Sequence, residues 1–335
     1  MSLCVAWIRE AGNSQELVFV TDSIFTAEEE WKHGIKLFEI PHTNCLLSFV
    51  GSTHRAYTLL LNLSSSIVSD RVVNSTTTIE EILEHITELF TILVMSIKTD
   101  LQDIHELRSD AKFLFGGWDW QKGAFRLWKI FYFQTFEAMT YEELTADAGT
   151  RSFVEFIGDT NSIADVEAKS KEDFEKYLVE CQGSLDCALD MEPAKILRDV
   201  VRNPSIWGIG GSLQIAKIYK SNKIDFFGIY WPSVKGEPHF QGREYTALSK
   251  PNVKYYDPDT FEIVEMDIPN CLDDISVEKY GIHVDFMHEC YPEGNLKERI
   301  SEKEKEKIQV LLKDVAYQTF LKQNECIEIL EGDEI

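Results

Sequence analysis

Apolar side chains fill residues 3–8 almost without interruption. The polar stretch Arg9-Glu-Ala-Gly-Asn-Ser-Gln-Glu16 follows, and Leu17 to Thr21 is again mostly apolar. A strand with one wet face alternates, so unbroken apolar runs of this length predict a hairpin covered on both faces. A second pair spans Ile35 to Ile40 and Cys45 to Val50, split by Pro-His-Thr-Asn. At Gly51-Ser52-Thr53 the period changes: Tyr57, Leu60, Leu61, Ile67 and Val68 fall at helical spacing, with Ser52 placed as an N-cap. A longer helix is predicted from Thr78, where Thr78 and Glu81 fit a capping box. Its stripe is Ile79, Ile82, Leu83, Ile86, Phe90, Leu93, Ile97 and Leu101.

Strand patterns return at Ala111–Phe115, at Phe125–Phe133 after a turn over residues 116–123, and at Ser152–Ile157. Helical spacing resumes at Ile163, Val166, Phe174, Tyr177 and Leu178 and again over Ala194–Val201. Strands at Leu213–Tyr219 and Asp225–Tyr230 then close the unit. Strands, two helices, strands, two helices, strands is the order of an α+β protein with two stacked antiparallel sheets and a helical layer outside each, a four-layer α/β/β/α sandwich. After Pro232 the pattern weakens into turn-rich stretches such as Tyr255-Tyr-Asp-Pro-Asp-Thr260. It ends in a charged helix from about Ser301 to Lys322, with Ile308, Leu311, Leu312 and Val315 on its apolar face. The expected division is a domain over 1–232 and a C-terminal extension over 233–335.

The length, 335 residues, suits one large domain with an extension or two modest domains, and 44% apolar with 27% charged residues is ordinary globular composition. Fifty-seven acidic against 33 basic side chains give a formal charge of −24. Nucleic-acid affinity rests on lysine and arginine displacing counterions, so nucleic acid is not an expected partner. Seven scattered cysteines without a C-x-x-C pair read as reduced thiols. With no basic leader and no apolar window long enough to span a bilayer, the expectation is the cytoplasm and no membrane.

Four short motifs carry a resemblance: Ser2-Leu-Cys-Val-Ala, Val20-Thr-Asp22-Ser-Ile-Phe-Thr26, Ile35-Lys36-Leu-Phe-Glu-Ile, and Leu46-Leu-Ser-Phe-Val-Gly51-Ser-Thr. In order and approximate spacing they resemble the opening of proteasome β subunits and bacterial proteasome-like peptidases, which are N-terminal-nucleophile (Ntn) hydrolases. The match is densest over residues 2–60, and the element order extends it to about 230. A serine hydroxyl needs a base. Once Met1 is removed, Ser2 carries its own in an α-amine of unperturbed pKa ~7.7–8.0. A buried Lys36 ammonium would lower that pKa and favour hydroxyl ionisation, Asp22 would hold the lysine charged, and the Gly51 N–H would face an oxyanion.

The resemblance implies these roles for Ser2, Asp22, Lys36 and Gly51, and a substrate side lined by Phe25, Thr26, Phe49 and Thr53. It also implies homo-oligomers, in rings or related assemblies, acting on peptide or unfolded protein without a cofactor. The chain departs from the family at several positions. Serine replaces the usual threonine, and Ile24 stands where arginine is common. Only Gly158 matches in the segment Ile157-Gly-Asp-Thr-Asn-Ser162. Asn203 stands where an aspartate belongs in a stretched Arg202-Asn-Pro-Ser205-Ile-Trp-Gly-Ile-Gly210-Gly211. Two alternatives therefore stay open: a non-catalytic scaffold or binding subunit, and an amidase for small amides. A lysine such as Lys36 within an apolar strand must be paired, and a purely structural ion pair with Asp22 satisfies that equally. His283, Asp285, His288 and Cys290 are metal-capable but lack a second ligand pair, so no metal is expected. The Gly208–Ser212 run lacks the lysine of a phosphate loop and reads as a turn.

Overall fold

A computed structural model describes residues 2–11, 14–26, 29–69, 77–98, 104–145, 153–158, 165–182, 187–246, 250–264, 286, 289–290 and 300–309. Met1–Val264 form one compact unit and Glu265–Ile335 another.

The first unit begins with strands β1 (Leu3–Ala11), β2 (Ser14–Thr21), β3 (Phe25–Thr26), β4 (Glu30–Trp31), β5 (Leu37–Ile40) and β6 (Cys45–Gly51). Helices α1 (Thr53–Ser69), α2 (Ile79–Met95) and the short α3 (Ile104–Ser109) follow. Next come β7 (Ala111–Asp119), β8 (Ala124–Phe133), β9 (Ala138–Leu144) and β10 (Val154–Gly158), then α4 (Val166–Gln182) and α5 (Glu192–Arg202). The unit closes with β11 (Gln214–Tyr219), β12 (Ile224–Trp231), β13 (Glu237–Phe240), β14 (Arg243–Glu244) and β15 (Tyr255–Tyr256). One sheet runs β10-β1-β2-β11-β12-β13-β14, with β15 added to β12 in parallel; the other runs β5-β6-β7-β8-β9, antiparallel throughout.

The apolar runs divide by parity, as the two-residue period of a strand requires. Leu3, Val5 and Trp7 of β1 join Phe174, Leu178 and Leu197 of α4 and α5 in one core. Leu47 and Phe49 of β6 join Leu59, Leu63, Ile86 and Phe90 of α1 and α2 in a second. The opposite faces, with Cys4 and Ala6 from one sheet and Leu46 and Val50 from the other, meet in a third core between the sheets. This is the expected four-layer α/β/β/α sandwich. Its strands are unbroken apolar runs because each face meets a different layer. Thr78 and Glu81 form the expected capping box at the start of α2.

Several elements differ from the sequence expectation. β7 runs through Gly116 and Gly117, where a turn was expected. A Cβ at Gly116 would lie 3.0 Å from Leu17 Cδ2 of the other sheet, and one at Gly117 2.8 Å from Ile79 Cδ1 of α2, so these glycines admit neighbouring layers. Strand β9 was not expected; four of its seven side chains are polar or charged and it forms the edge of its sheet, so it lacks the buried-strand signature. Helix α2 is capped at Ser96, before Ile97, and Leu101 lies outside the described residues.

The expected boundary at 232 falls inside the first sheet. After Pro232 the chain turns back to pair with the open edge of β12, and Gly228 leaves room for the ring of Tyr255. In the second unit, residues 302–309 are helical and Ser301 caps them through reciprocal bonds with Glu304; Leu311, Leu312 and Val315 lie outside the described residues. Cys4, Cys45, Cys181, Cys187 and Cys290 are free thiols. Among the described residues no helix is long and apolar enough to cross a membrane.

Candidate active site

The antiparallel register of β1 and β2 pairs Cys4 with Thr21, so Ser2, just before β1, and Asp22, just after β2, arrive at the same sheet end. Lys36 precedes β5 in the other sheet and spans the gap. Its Nζ donates to Ser2 Oγ at 2.9 Å and to both carboxylate oxygens of Asp22 at 2.9 Å each. The carboxylate also accepts the N–H of Leu3 at 3.2 Å on Oδ1 and those of Ile24 and Gly210 at 3.3 Å on Oδ2. Asp22 and Lys36 are fully buried and Ser2 is 3% exposed. Three backbone donors and an ammonium on one carboxylate satisfy a charge that would be prohibitive in isolation.

The remaining expected residues occupy different distances from this centre. The half-buried Phe25 ring lies 5.6 Å from Lys36 Nζ and meets Tyr57 edge-on at 5.4 Å. Its place depends on Gly34, where a Cβ would stand 2.4 Å from the ring. Phe49 is fully buried among Phe38, Tyr57 and Phe113 in the helix-side core, so it backs Phe25 and presents no face to a ligand. Thr26 and Thr53 are half-buried, at the end of β3 and the first turn of α1. Gly51 ends β6 at φ +96°, and a Cβ there would lie 2.3 Å from the Asp110 carbonyl, so no other residue fits this strand-to-helix junction.

One expected correspondence is corrected. Asn203 is not at the site: it is the C-cap of α5, exposed, and its Oδ1 accepts from the N–H and hydroxyl of Ser205. From that stretch it is Gly210 that reaches Asp22, because the loop after α5 carries the chain back to the sheet end. Gly158 pairs with Leu3 and donates its N–H to Glu167, while residues 159–162 lie outside the described residues. Cys4, two residues from Ser2, faces the core between the sheets with its Sγ 2.8 Å from Ser48 Oγ. Burial pushes its thiol up to about 12, which keeps it protonated and unreactive.

Sequence reasoning missed Gln214 and Ser23. Gln214, fully buried at the start of β11, accepts the Lys36 N–H at 3.0 Å and donates to the carbonyls of Gly34 at 2.6 Å and Asp22 at 3.4 Å. Ser23 Oγ accepts the Ser212 N–H and donates to the Lys32 carbonyl, both at 2.8 Å. A lone glutamine at the head of an apolar strand gives no signal; its tertiary partners are all backbone groups. Among the described residues no three His, Cys, Asp or Glu side chains are placed to hold a metal, and His283, Asp285 and His288 lie outside them.

Neither a protein-family model nor a curated protein matches the chain. Among solved structures it is similar to Anbu (ancestral beta-subunit) from Yersinia bercovieri, at 17% identity and a TM-score of 0.44, over 67% of this chain and 86% of that one.

Proposed function

We propose that the chain is an Ntn hydrolase that cleaves amide bonds through Ser2 once Met1 has been removed. The observation that carries this reading is the hydrogen bond from the buried Lys36 ammonium to Ser2 Oγ, with Asp22 clamping the same nitrogen. In this reading the Ser2 α-amine takes the hydroxyl proton as Oγ bonds to the amide carbon. The adjacent ammonium favours the ionised oxygen, and the Gly51 N–H stabilises the oxyanion. Collapse of the tetrahedral intermediate releases the amine, which leaves with that proton, and water then hydrolyses the acyl-Ser2 ester. Phe25 supplies the apolar side of the substrate seat, flanked by Thr26 and Thr53. We place peptide or unfolded protein first among substrates and small acyl amides second, and expect homo-oligomers in the cytoplasm.

A second reading is favoured by the burial of all three side chains: an ion pair that fixes the sheet ends of a non-catalytic scaffold. Turnover separates the two. Protein verified to begin at Ser2 should hydrolyse unfolded peptides or acyl amides, and Ser2→Ala should abolish this with the fold intact; equal rates for both proteins would remove Ser2 from the chemistry.

A further inference from the structure

We propose that Gln214 is a positioning residue that sets the reach of the Lys36 ammonium to Ser2; the proposal rests on the hydrolase reading of the site. Ser2 and Asp22 belong to one sheet and Lys36 to the other, so the 2.9 Å contact between Lys36 Nζ and Ser2 Oγ depends on how the two sheets are registered at this end. Gln214 bridges that gap. Its Cα partner is Thr21, the neighbour of Asp22, and its side chain crosses to the backbone of Gly34 and Lys36 on the approach to β5.

The chemistry of the amide is fully used. Oε1 accepts the Lys36 N–H, and the two Nε2 protons go to the Gly34 and Asp22 carbonyls. Only a neutral amide of this length donates twice and accepts once. Glutamate would set a carboxylate against two carbonyls, a shorter asparagine would not span the gap, and an apolar side chain would orphan three buried backbone groups. The carbonyls it holds flank the loop from Asp22 to Gly34, which presents Phe25. Gln214 therefore couples the placement of the ammonium to the placement of the aromatic wall.

The test uses the full chain beginning at Ser2, an acylating electrophile as probe, and ¹⁵N-lysine labelling, with the Lys36 Nζ resonance assigned from Lys36→Met. In Gln214→Leu we expect the maximal rate of Ser2 acylation to fall about ten- to a hundredfold, as for a misplacement of order 1 Å, with the half-saturating electrophile concentration unchanged. The Lys36 Nζ resonance should shift or exchange away while that of Lys217 stays. Gln214→Asn, which keeps the amide but shortens it, gives a graded version of both effects and serves if the leucine variant does not fold. Wild-type acylation rates with an unmoved Lys36 resonance in either variant would overturn the proposal. If the wild-type chain is not acylated at all, the hydrolase reading fails separately, and the Lys36 resonance alone decides whether Gln214 places the ammonium.

Discussion

Among the described residues two lysines are buried, Lys36 just before β5 and Lys217 within β11, and only Lys36 touches a nucleophilic side chain. Lys36 is paired with Asp22 at 2.9 Å; Lys217, in β11, is paired with Glu16 at 3.0 Å and is 3% exposed. They differ in their third partner. The Lys36 ammonium reaches a serine hydroxyl, whereas that of Lys217 lies over the rings of Phe227 at 5.2 Å and Tyr256 at 5.4 Å. Glu16 is also held by Arg9 at 3.0 Å. A buried ion pair on its own therefore marks nothing beyond the need to neutralise a charge. What marks a site is a reactive group in the ammonium's remaining hydrogen-bond direction.

Lys36→Met breaks the comparison most sharply. It leaves a fully buried carboxylate without its cation, so chemical denaturation should show a loss of about 3–5 kcal/mol, and Ser2 should lose its reactivity toward acylating electrophiles. Gly242→Ala perturbs the same site from a distance. Gly242 sits at φ +80°, a Cβ there would meet Ser23 Cβ at 2.5 Å, and its carbonyl faces His33 Nδ1 at 2.9 Å. A stability loss of about 1–3 kcal/mol should appear in the same measurement, together with slower Ser2 acylation.

Lys217→Met should cost less than about 2 kcal/mol, because Glu16 keeps Arg9 and the rings accept an apolar chain, and acylation of Ser2 should be unchanged. The smallest effect is a pH dependence. Burial lowers the Lys217 pKa below its ordinary value, so between its folded and unfolded pKa the unfolded chain binds more protons. Stability from this group therefore rises with pH toward about 10.4. The gap in unfolding free energy between wild type and Lys217→Met should move in favour of wild type as pH is raised through that window; a gap that moves the other way would reverse the assigned shift.

The layers were legible because each strand touches two of them. Leu3 to Ile8 and Cys45 to Val50 have no wet face, and that alone demands a sandwich. The trio of Ser2, Asp22 and Lys36 was legible only jointly, through four short motifs in order. What was not legible has a common cause. Gln214 bonds only to backbone, so nothing in its neighbours along the chain announces it. The return of residues 237–240 and 255–256 onto β12 is driven by an open sheet edge, which is a property of the fold and leaves no period in the sequence. Asn203 matched a motif position by spacing, while a loop placed Gly210 there. The lysine criterion used for Lys36 applied equally to Lys217, and only the third partner separates them.

The most direct test of the central claim is the mass and position of a covalent adduct on protein shown to have lost Met1. Treated with an acylating electrophile, wild type and Lys217→Met should each gain one adduct mapping to Ser2, and Lys36→Met should gain none there. Adducts at Ser2 in all three proteins, or in none, would contradict the assignment of the Lys36 ammonium to the Ser2 hydroxyl as the working contact.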